Sequence, residues 1–359
     1  MSASRPRRVL VTGCAGFIGS ALVGQWLRET DWQLFGVDSL GYAGLRASLI
    51  EALGDPRFSL TVADIADAAA MQALFARAQP DAVIHLAAES HVDRSLEGPA
   101  PFIHTNLVGM AVLLDAARSH VDTLDADRRA AFRFVNVSTD EVFGALGASG
   151  RFDEASRHAP NSPYSATKAG ADHLARAWHR SYGLPVITTY SPNNYGPRQL
   201  PEKLIPRVIT AALAGEPLPI YGSGQQVREW LHVEDHAAAL RAALLHGRVG
   251  ESYCIGGGIE HSNLQLVQQL CALLDLRRPE RAPHAGLIRH VDDRPGHDWR
   301  YALDGTKFAR DTGWTVSREF AAGLQETVDW YLANPDWLAA AAASLAAATG
   351  QRPPSIKAR

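Results

Sequence analysis

Two carboxylates stand side by side at Asp140 and Glu141, directly after Ser138-Thr139 and the apolar run Phe132-Arg133-Phe134-Val135-Asn136-Val137. The run reads as a buried strand, so the two acids fall at a strand end. In a partly dry pocket such a pair shares one proton, because ionising both together is unfavourable; one member is then an acid and the other a base. On a solvated loop the same pair would do nothing. Further on, Tyr164-Ser165-Ala166-Thr167-Lys168 sets a phenol and an ammonium four residues apart at the start of a helical pattern. Residues at that spacing share a helix face. A nearby ammonium favours the phenolate, so Tyr164 could remove a proton near neutral pH. By itself, Y-x-x-x-K more often marks a surface lysine beside a half-buried tyrosine.

A third group of residues points to a cofactor. Val9-Leu10-Val11-Thr12-Gly13-Cys14-Ala15-Gly16-Phe17-Ile18-Gly19 reads as strand, turn and helix. Glycines at 13, 16 and 19 allow a tight turn, close backbone approach to a pyrophosphate and close helix packing, and the helix N-terminus offers N–H groups to phosphates. Asp38 ends the second apolar run, about 20 residues beyond the turn, where a carboxylate accepts ribose hydroxyls and repels a 2′-phosphate. NAD is therefore favoured over NADP, with Arg46 nearby as the residue that argues the other way. Asp64 and Ile65, after a third apolar run, are placed to flank an adenine.

These residues need a scaffold, and the hydrophobic pattern supplies one. Strands are expected at Val9–Thr12, Gln33–Val37, Phe58–Val62, Ala82–Leu86, Phe132–Val137 and Pro185–Tyr190. Helices are expected from about Gly16, at Met71–Arg77, near Asn106–Ser119 and at Ser165–Tyr182. Strands alternating with helices imply crossover units and a doubly wound, Rossmann-type α/β parallel sheet. After Tyr195 the rhythm changes: Pro197, Pro201, Pro206, Pro217 and Pro219 punctuate short elements of a smaller, mixed lobe. The expected division is residues 1–192 for the NAD-binding domain, with 232–260 rejoining it, 193–337 for the lobe, and an alanine-rich tail, 338–359, that is a helix fraying at Pro353-Pro354.

Composition narrows the class. The 359 residues are 46% hydrophobic and 20% charged, with a net charge of −3. That is ordinary globular make-up, with no basic field for nucleic acid. Three scattered cysteines, Cys14, Cys254 and Cys271, suit neither a disulfide framework nor a metal site, and fit a reducing cytoplasm. Arg5, Arg7 and Arg8 before the apolar stretch Val9–Val23 imitate a secretory leader, but spaced glycines break the stretch. No run reaches the length of a membrane span.

In chain order the glycine turn, Leu86-Ala87-Ala88, Ser138-Thr139 and Tyr164-x-x-x-Lys168 resemble the extended short-chain dehydrogenase/reductase family, from about Val9 to about Trp337. Within it the chain is similar to the nucleotide-sugar 4,6-dehydratases, the branch acting on dTDP-glucose. The residues that carry this are Ala87-Ala88-Glu89-Ser90-His91-Val92-Asp93-Arg94-Ser95, Ser138-Thr139-Asp140-Glu141-Val142-Phe143-Gly144 and Asn193-Asn194-Tyr195-Gly196-Pro197. Pro201-Glu202-Lys203-Leu204-Ile205-Pro206, Trp230-Leu231-His232-Val233-Glu234-Asp235-His236 and Asp293-Arg294-Pro295-Gly296-His297-Asp298 complete them.

The resemblance implies a reaction that oxidises C4 of dTDP-glucose, eliminates water across C5 and C6, and returns hydride to C6 to give the 4-keto-6-deoxy sugar. It gives Tyr164, with Lys168, the O4 proton; Thr139 a hydrogen bond to O4; Glu141 the C5 proton; and Asp140 the departing C6 hydroxyl. For NAD it implies contacts from Phe17, Ile18, Ser39, Leu40, Leu86, Ala87, Ala88, Ser90, Thr105 and Asn194, besides Gly13, Gly16, Gly19, Asp38, Asp64, Ile65, Tyr164 and Lys168. For the substrate it implies Ser90, Thr139, Asn193, Lys203, Leu204, Arg207, Val208, Pro219, Tyr221, Asn263 and His297, with Arg228 and Arg294 as clamps on the diphosphate. His232 and His236 are expected to satisfy helix ends rather than catalyse. A homodimer through a four-helix interface, using the two long helices, is also implied.

Three positions depart from the family pattern: Cys14 for glycine, Pro192 beside the asparagines, and Ile259 for asparagine. Rival readings are a 4-epimerase or uronate decarboxylase on the same fold, a dehydratase for another nucleotide sugar, and a silent NAD-binding regulator. The first two need Tyr164 and Lys168 but not Asp140 and Glu141.

Overall fold

The computed structural model describes residues 7–293 and 297–349. Twelve strands are numbered in chain order: β1 (Arg8–Thr12), β2 (Gln33–Asp38), β3 (Phe58–Val62), β4 (Ala82–His85), β5 (Arg133–Thr139), β6 (Val186–Ser191), β7 (Asn193–Tyr195), β8 (Leu218–Tyr221), β9 (Val227–His232), β10 (Ser252–Cys254), β11 (Ile259–Ser262) and β12 (Ile288–Val291). Seven form one parallel sheet in the order β10-β6-β5-β4-β1-β2-β3. Every residue of β4 and β6 is buried, as strands covered on both faces must be. Strand order reverses between β1 and β4, so a crevice opens at their carboxyl ends.

One sheet face packs on the helices Phe17–Glu29 and Val233–His246, around Leu22, Trp26, Leu240 and Tyr253. The other packs on the helices Ala68–Ala78, Met110–Thr123 and Pro163–Tyr182, around Met71, Leu114, Phe134 and Ala171. The helical segment Ala100–Thr123 is long and apolar enough to pass as a membrane span, a feature missed in the sequence pattern. Its apolar residues Met110, Leu113, Leu114, Ala117 and Val121 belong to this core. The leader-like stretch Val9–Val23 is β1, the glycine turn and the first helix.

The lobe combines a three-stranded sheet, β11-β9-β7, with a two-stranded one, β12-β8, and the helices Leu204–Ala214, Asn263–Arg277 and Phe320–Ala333. β10 lies beside β6, so the chain returns to the main sheet from the lobe. The alanine-rich tail is helical as far as Thr349, and the fraying expected at Pro353-Pro354 lies outside the described residues. Pro335–Thr349 is a helix whose Trp337, Leu338 and Ala341 are buried in the lobe's core together with Tyr42 and Leu45 from the loop after β2. Burial of that apolar face outweighs the fraying expected of an isolated alanine helix.

Candidate active site

The glycine turn is built by steric necessity. Gly13 has φ +66, and a Cβ there would lie 2.7 Å from the Ala87 backbone nitrogen; a Cβ on Gly19 would lie 2.1 Å from the Gly13 carbonyl oxygen. Around Gly16 the nearest atom to such a Cβ is 3.3 Å away, and no side chain caps the helix that it begins. The N–H groups of that first turn thus remain available to a phosphate. Cys14 is tolerated because its Sγ lies where a side chain on residue 36 would stand, and that residue is Gly36 on β2. Asp38 accepts the Ala15 and Leu40 N–H groups, each at 2.9 Å, and keeps lone pairs for a ligand. Burial pushes its carboxyl up, and those two N–H groups pull it back.

The other expected cofactor residues follow the carboxyl ends of adjacent strands. Phe17 and Ile18 open the first helix; Ser39 and Leu40 follow β2; Asp64 and Ile65 follow β3; Leu86, Ala87, Ala88 and Ser90 follow β4. Thr105 lies in a π-helical turn, His104–Gly109. The next residue, Asn106, was missed in the sequence. Its amide accepts from the Glu89 N–H at 2.9 Å and donates to the Glu89 carbonyl at 3.1 Å and to Thr167 at 2.9 Å. It thereby ties the loop after β4 to the helix bearing Tyr164.

That helix starts at Pro163, two residues before the expected Ser165, because Ser162 and Ser165 form a capping box and proline is favoured in the first turn. Tyr164 and Lys168 are both buried. Lys168 Nζ donates to the Val137 carbonyl at 2.8 Å. Asp172, held by Asn136 at 2.8 Å and Ser138 at 2.7 Å, supplies its counter-charge. Burial, against the pull of Lys168 and these donors, raises Asp172 to about 6.

Burial and then Glu141 push the Tyr164 phenol up, and the neighbouring Thr139 hydroxyl pulls it back. The Lys168 Nζ points at the Val137 carbonyl.

The two carboxylates separate by depth. Thr139 caps a short 3₁₀ turn, Asp140–Phe143, accepting from the Glu141 N–H at 3.4 Å and donating to Asp140 Oδ1 at 3.2 Å. This turn rotates Asp140 inward to 1% exposure, whereas half-buried Glu141 reaches the cleft wall. Asp140 Oδ2 is buried without a hydrogen-bond partner. Burial, then Glu141 and Glu229, hold its carboxyl well above the usual range.

A cleft of about 1280 Å³ opens in front of Glu141. Its wall brings together Ser90, Asn193, Lys203, Leu204, Arg207, Val208, Pro219, Tyr221, Arg228, Asn263 and His297. Thr139 and Tyr164 lie behind the wall, and Arg294 lies outside the described residues. The Arg228 guanidinium donates to the carbonyls of Val227 at 2.8 Å and Asp298 at 3.0 Å, 4.6 Å over the Tyr301 ring. Tyr301 is a wall residue that sequence reasoning missed; it senses Glu141 and hydrogen-bonds Asp298. His297 Nδ1 lies 2.7 Å from Asp293.

Asn194 is bonded on both ends, to His236 Nδ1 at 2.9 Å and to the Pro192 carbonyl at 3.0 Å. Burial lowers His236 to about 3, so it is neutral. His232 caps its helix by accepting from the Glu234 N–H at 3.2 Å. The expected Lys203 and Ser90 are joined, Lys203 Nζ donating to the Ser90 carbonyl at 3.3 Å, and residues missed as site residues lie near them: Arg94 3.9 Å over the Tyr42 ring, and His91 3.7 Å from Glu202. Leu345 and Ala348 of the tail helix also reach the cleft wall.

A glycine-turn crevice at the sheet's switch point, joined to a polar cleft under a second lobe, defines a dinucleotide-dependent enzyme of the short-chain dehydrogenase/reductase type. Residues 10–327 match the GDP-mannose 4,6 dehydratase family, and the chain belongs to it. Among its relatives, dTDP-glucose 4,6-dehydratase 1 of Escherichia coli K12 is 51% identical over 340 residues, 92% of this chain and 94% of that protein. The dTDP-glucose 4,6-dehydratase of Xanthomonas campestris is 52% identical over 331 residues, with the same coverage. A crystal structure of the Streptomyces venezuelae dTDP-glucose 4,6-dehydratase, with NAD and TYD bound, superposes with a TM-score of 0.84 at 46% identity and covers 92% of this chain and 98% of that one.

Proposed function

We propose that the protein dehydrates dTDP-glucose to dTDP-4-keto-6-deoxyglucose with bound NAD. The observation that carries this reading is the Asp140–Glu141 pair: a buried carboxyl, held well above the usual range, beside a second acid on the cleft wall. Simple epimerisation at C4 has no use for that pair. The glycine turn, the uncapped helix start and the two N–H-bonded oxygens of Asp38 fit the pyrophosphate and ribose of NAD. When bound, NAD takes a hydride from C4 and returns it to C6.

The chain's own residues do the rest. Tyr164 removes the O4 proton, with Thr139 holding O4. A C4 ketone makes the C5–H acidic, and Glu141 removes that proton. Asp140 protonates the C6 hydroxyl so that it leaves as water. Asp140 is buried and off the wall that Glu141 lines, so this role requires a side-chain movement that brings C6 and Asp140 together. Arg228 and Arg294 bind the diphosphate, and Asn193 orients the sugar. Pro219 and Tyr221 flank the base. The domain division of the sequence reading, with NAD on residues 1–192 and the nucleotide sugar on 193–337, follows from these roles.

The exposed apolar residues Ile103 and Val108 on one long helix and Tyr182 on the other support a homodimer through those helices. Three buried free thiols support a reducing, cytoplasmic setting. Incubation with dTDP-glucose should yield a product with the alkali-induced absorbance of a 4-keto sugar. Product from UDP-glucose and none from dTDP-glucose would overturn the nucleotide assignment.

A further inference from the structure

The proposed reaction, on which this inference rests, needs two anchor points in register. Arg228, on β9 of the lobe, holds the diphosphate. O4 of the sugar must meet Tyr164, on the helix Pro163–Tyr182 packed against the main sheet. A misplacement of about 1 Å between the two can cost about 10²-fold in rate. A rigid link from the clamp to the start of that helix would prevent it.

Asp298, next to His297 of the cleft wall, makes such a link at three points. Its Oδ1 accepts from Asn161 Nδ2 at 2.7 Å. Asn161 directly precedes Ser162, whose capping box starts the helix, and stands three residues before Tyr164. Its Oδ2 accepts from the Tyr301 hydroxyl, and the Arg228 guanidinium lies 4.6 Å over that ring. Its backbone carbonyl accepts from Arg228 itself at 3.0 Å. The residues that follow are fixed as well: the Trp299 carbonyl accepts from the Val227 N–H at 2.8 Å, and the Arg300 carbonyl from the Leu146 N–H at 2.9 Å. A carboxylate suits the task because its two oxygens accept from donors on two different elements at once.

We propose that Asp298 is a positioning residue that sets the reach from the diphosphate clamp to Tyr164. One oxygen fastens the arm 297–301 to the helix start; the other fixes the ring under the clamp, so clamp and phenol keep one spacing. Asp298 acts through Asn161 and Arg228. Without its carboxylate, Arg228 still has the carbonyls of Val227 at 2.8 Å and Trp299 at 3.5 Å. The diphosphate then still binds, but its register with Tyr164 loosens.

The test separates binding from chemistry. Affinity for dTDP is measured by calorimetry. Oxidation at C4 is followed by rapid mixing of NAD-loaded enzyme with saturating dTDP-glucose, read as reduced-cofactor absorbance. Asp298→Ala should slow the oxidation of bound substrate about fivefold or more, while affinity for dTDP stays within about twofold. Asn161→Ala, at the exposed end of the link, should do the same, and the double variant should be no slower than the slower single one. Asp298→Asn keeps an acceptor for Asn161 and a polar partner for Tyr301, and should restore most of the rate. An unchanged rate of C4 oxidation in Asp298→Ala or in Asn161→Ala overturns the proposal. So do losses that multiply in the double variant, because Asp298 then does not act through Asn161. So does dTDP binding weakened as much as the rate, because Asp298 then only holds the clamp. If Asp298→Ala does not fold, Asn161→Ala alone decides by the same two measurements. A wild-type enzyme that forms no 4-keto product refutes the dehydratase reading and this role with it.

Discussion

Asp140 resolves the demand placed on a paired acid and base by depth rather than by sequence. Both carboxylates follow β5, but the 3₁₀ turn capped by Thr139 sends one inward and leaves the other at the cleft. The pair itself was legible, because an apolar strand ending in two acids is unusual. Its depth was not, because strand alternation stops where the turn begins. Tyr164 and Lys168 were legible from their spacing of four. The environment of the phenol was not, since burial and Glu141, brought near by the fold, act on it. Glu141→Gln should retain partial C4 oxidation, read as reduced cofactor absorbance, while exchange of the C5 hydrogen with solvent falls about 10²–10⁴-fold. Exchange at the wild-type rate would refute the base assignment. His236 gives a pH prediction. Its folded pKa, about 3, lies below its usual 6.5, so the stability of its neutral form is present above 6.5 and is lost progressively as pH falls from there toward 3. Between pH 8 and pH 5 that loss is about 2 kcal/mol. His236→Gln is destabilised at pH 8 but should close that much of its gap to wild type by pH 5, measured by denaturant unfolding.

At the scale of elements, the first strand, turn and helix act as one part. Gly13 needs both a positive φ and contact with the Ala87 backbone. Gly13→Ala should cost about 2 kcal/mol or more and abolish NAD binding, checked by unfolding and by fluorescence titration with NAD. Alanine content gives the tail a helix but not its place: Trp337 finds Ser48 at 3.1 Å and an apolar bed shared by lobe and loop. Asn106 and Tyr301 were hidden for the same reason: Asn106 meets Glu89 and Thr167, and Tyr301 lies under Arg228, all far away in the chain. The parallel strands were easy to find, because burial on both faces writes a continuous apolar run.

The whole molecule joins a redox crevice to an acid–base cleft, and its proposed pairing with a second copy leaves both on each chain. Val108 is 47% exposed on the long helix, so Val108→Glu should leave the monomer fold within about 0.5 kcal/mol of wild type. If that face pairs two copies, the variant should sediment at half the wild-type mass, whereas an unchanged mass would move the interface elsewhere. The central claim is that hydride leaves C4 and comes to rest on C6 while C5 exchanges with water. It is tested most directly by supplying dTDP-glucose deuterated at C4 and reading the product by NMR and mass spectrometry. The account predicts a 4-keto-6-deoxy product with deuterium in its C6 methyl group, and, in heavy water, a further deuterium at C5. A C4 epimer that keeps its C6 hydroxyl, or a methyl group without the C4 label, would contradict it.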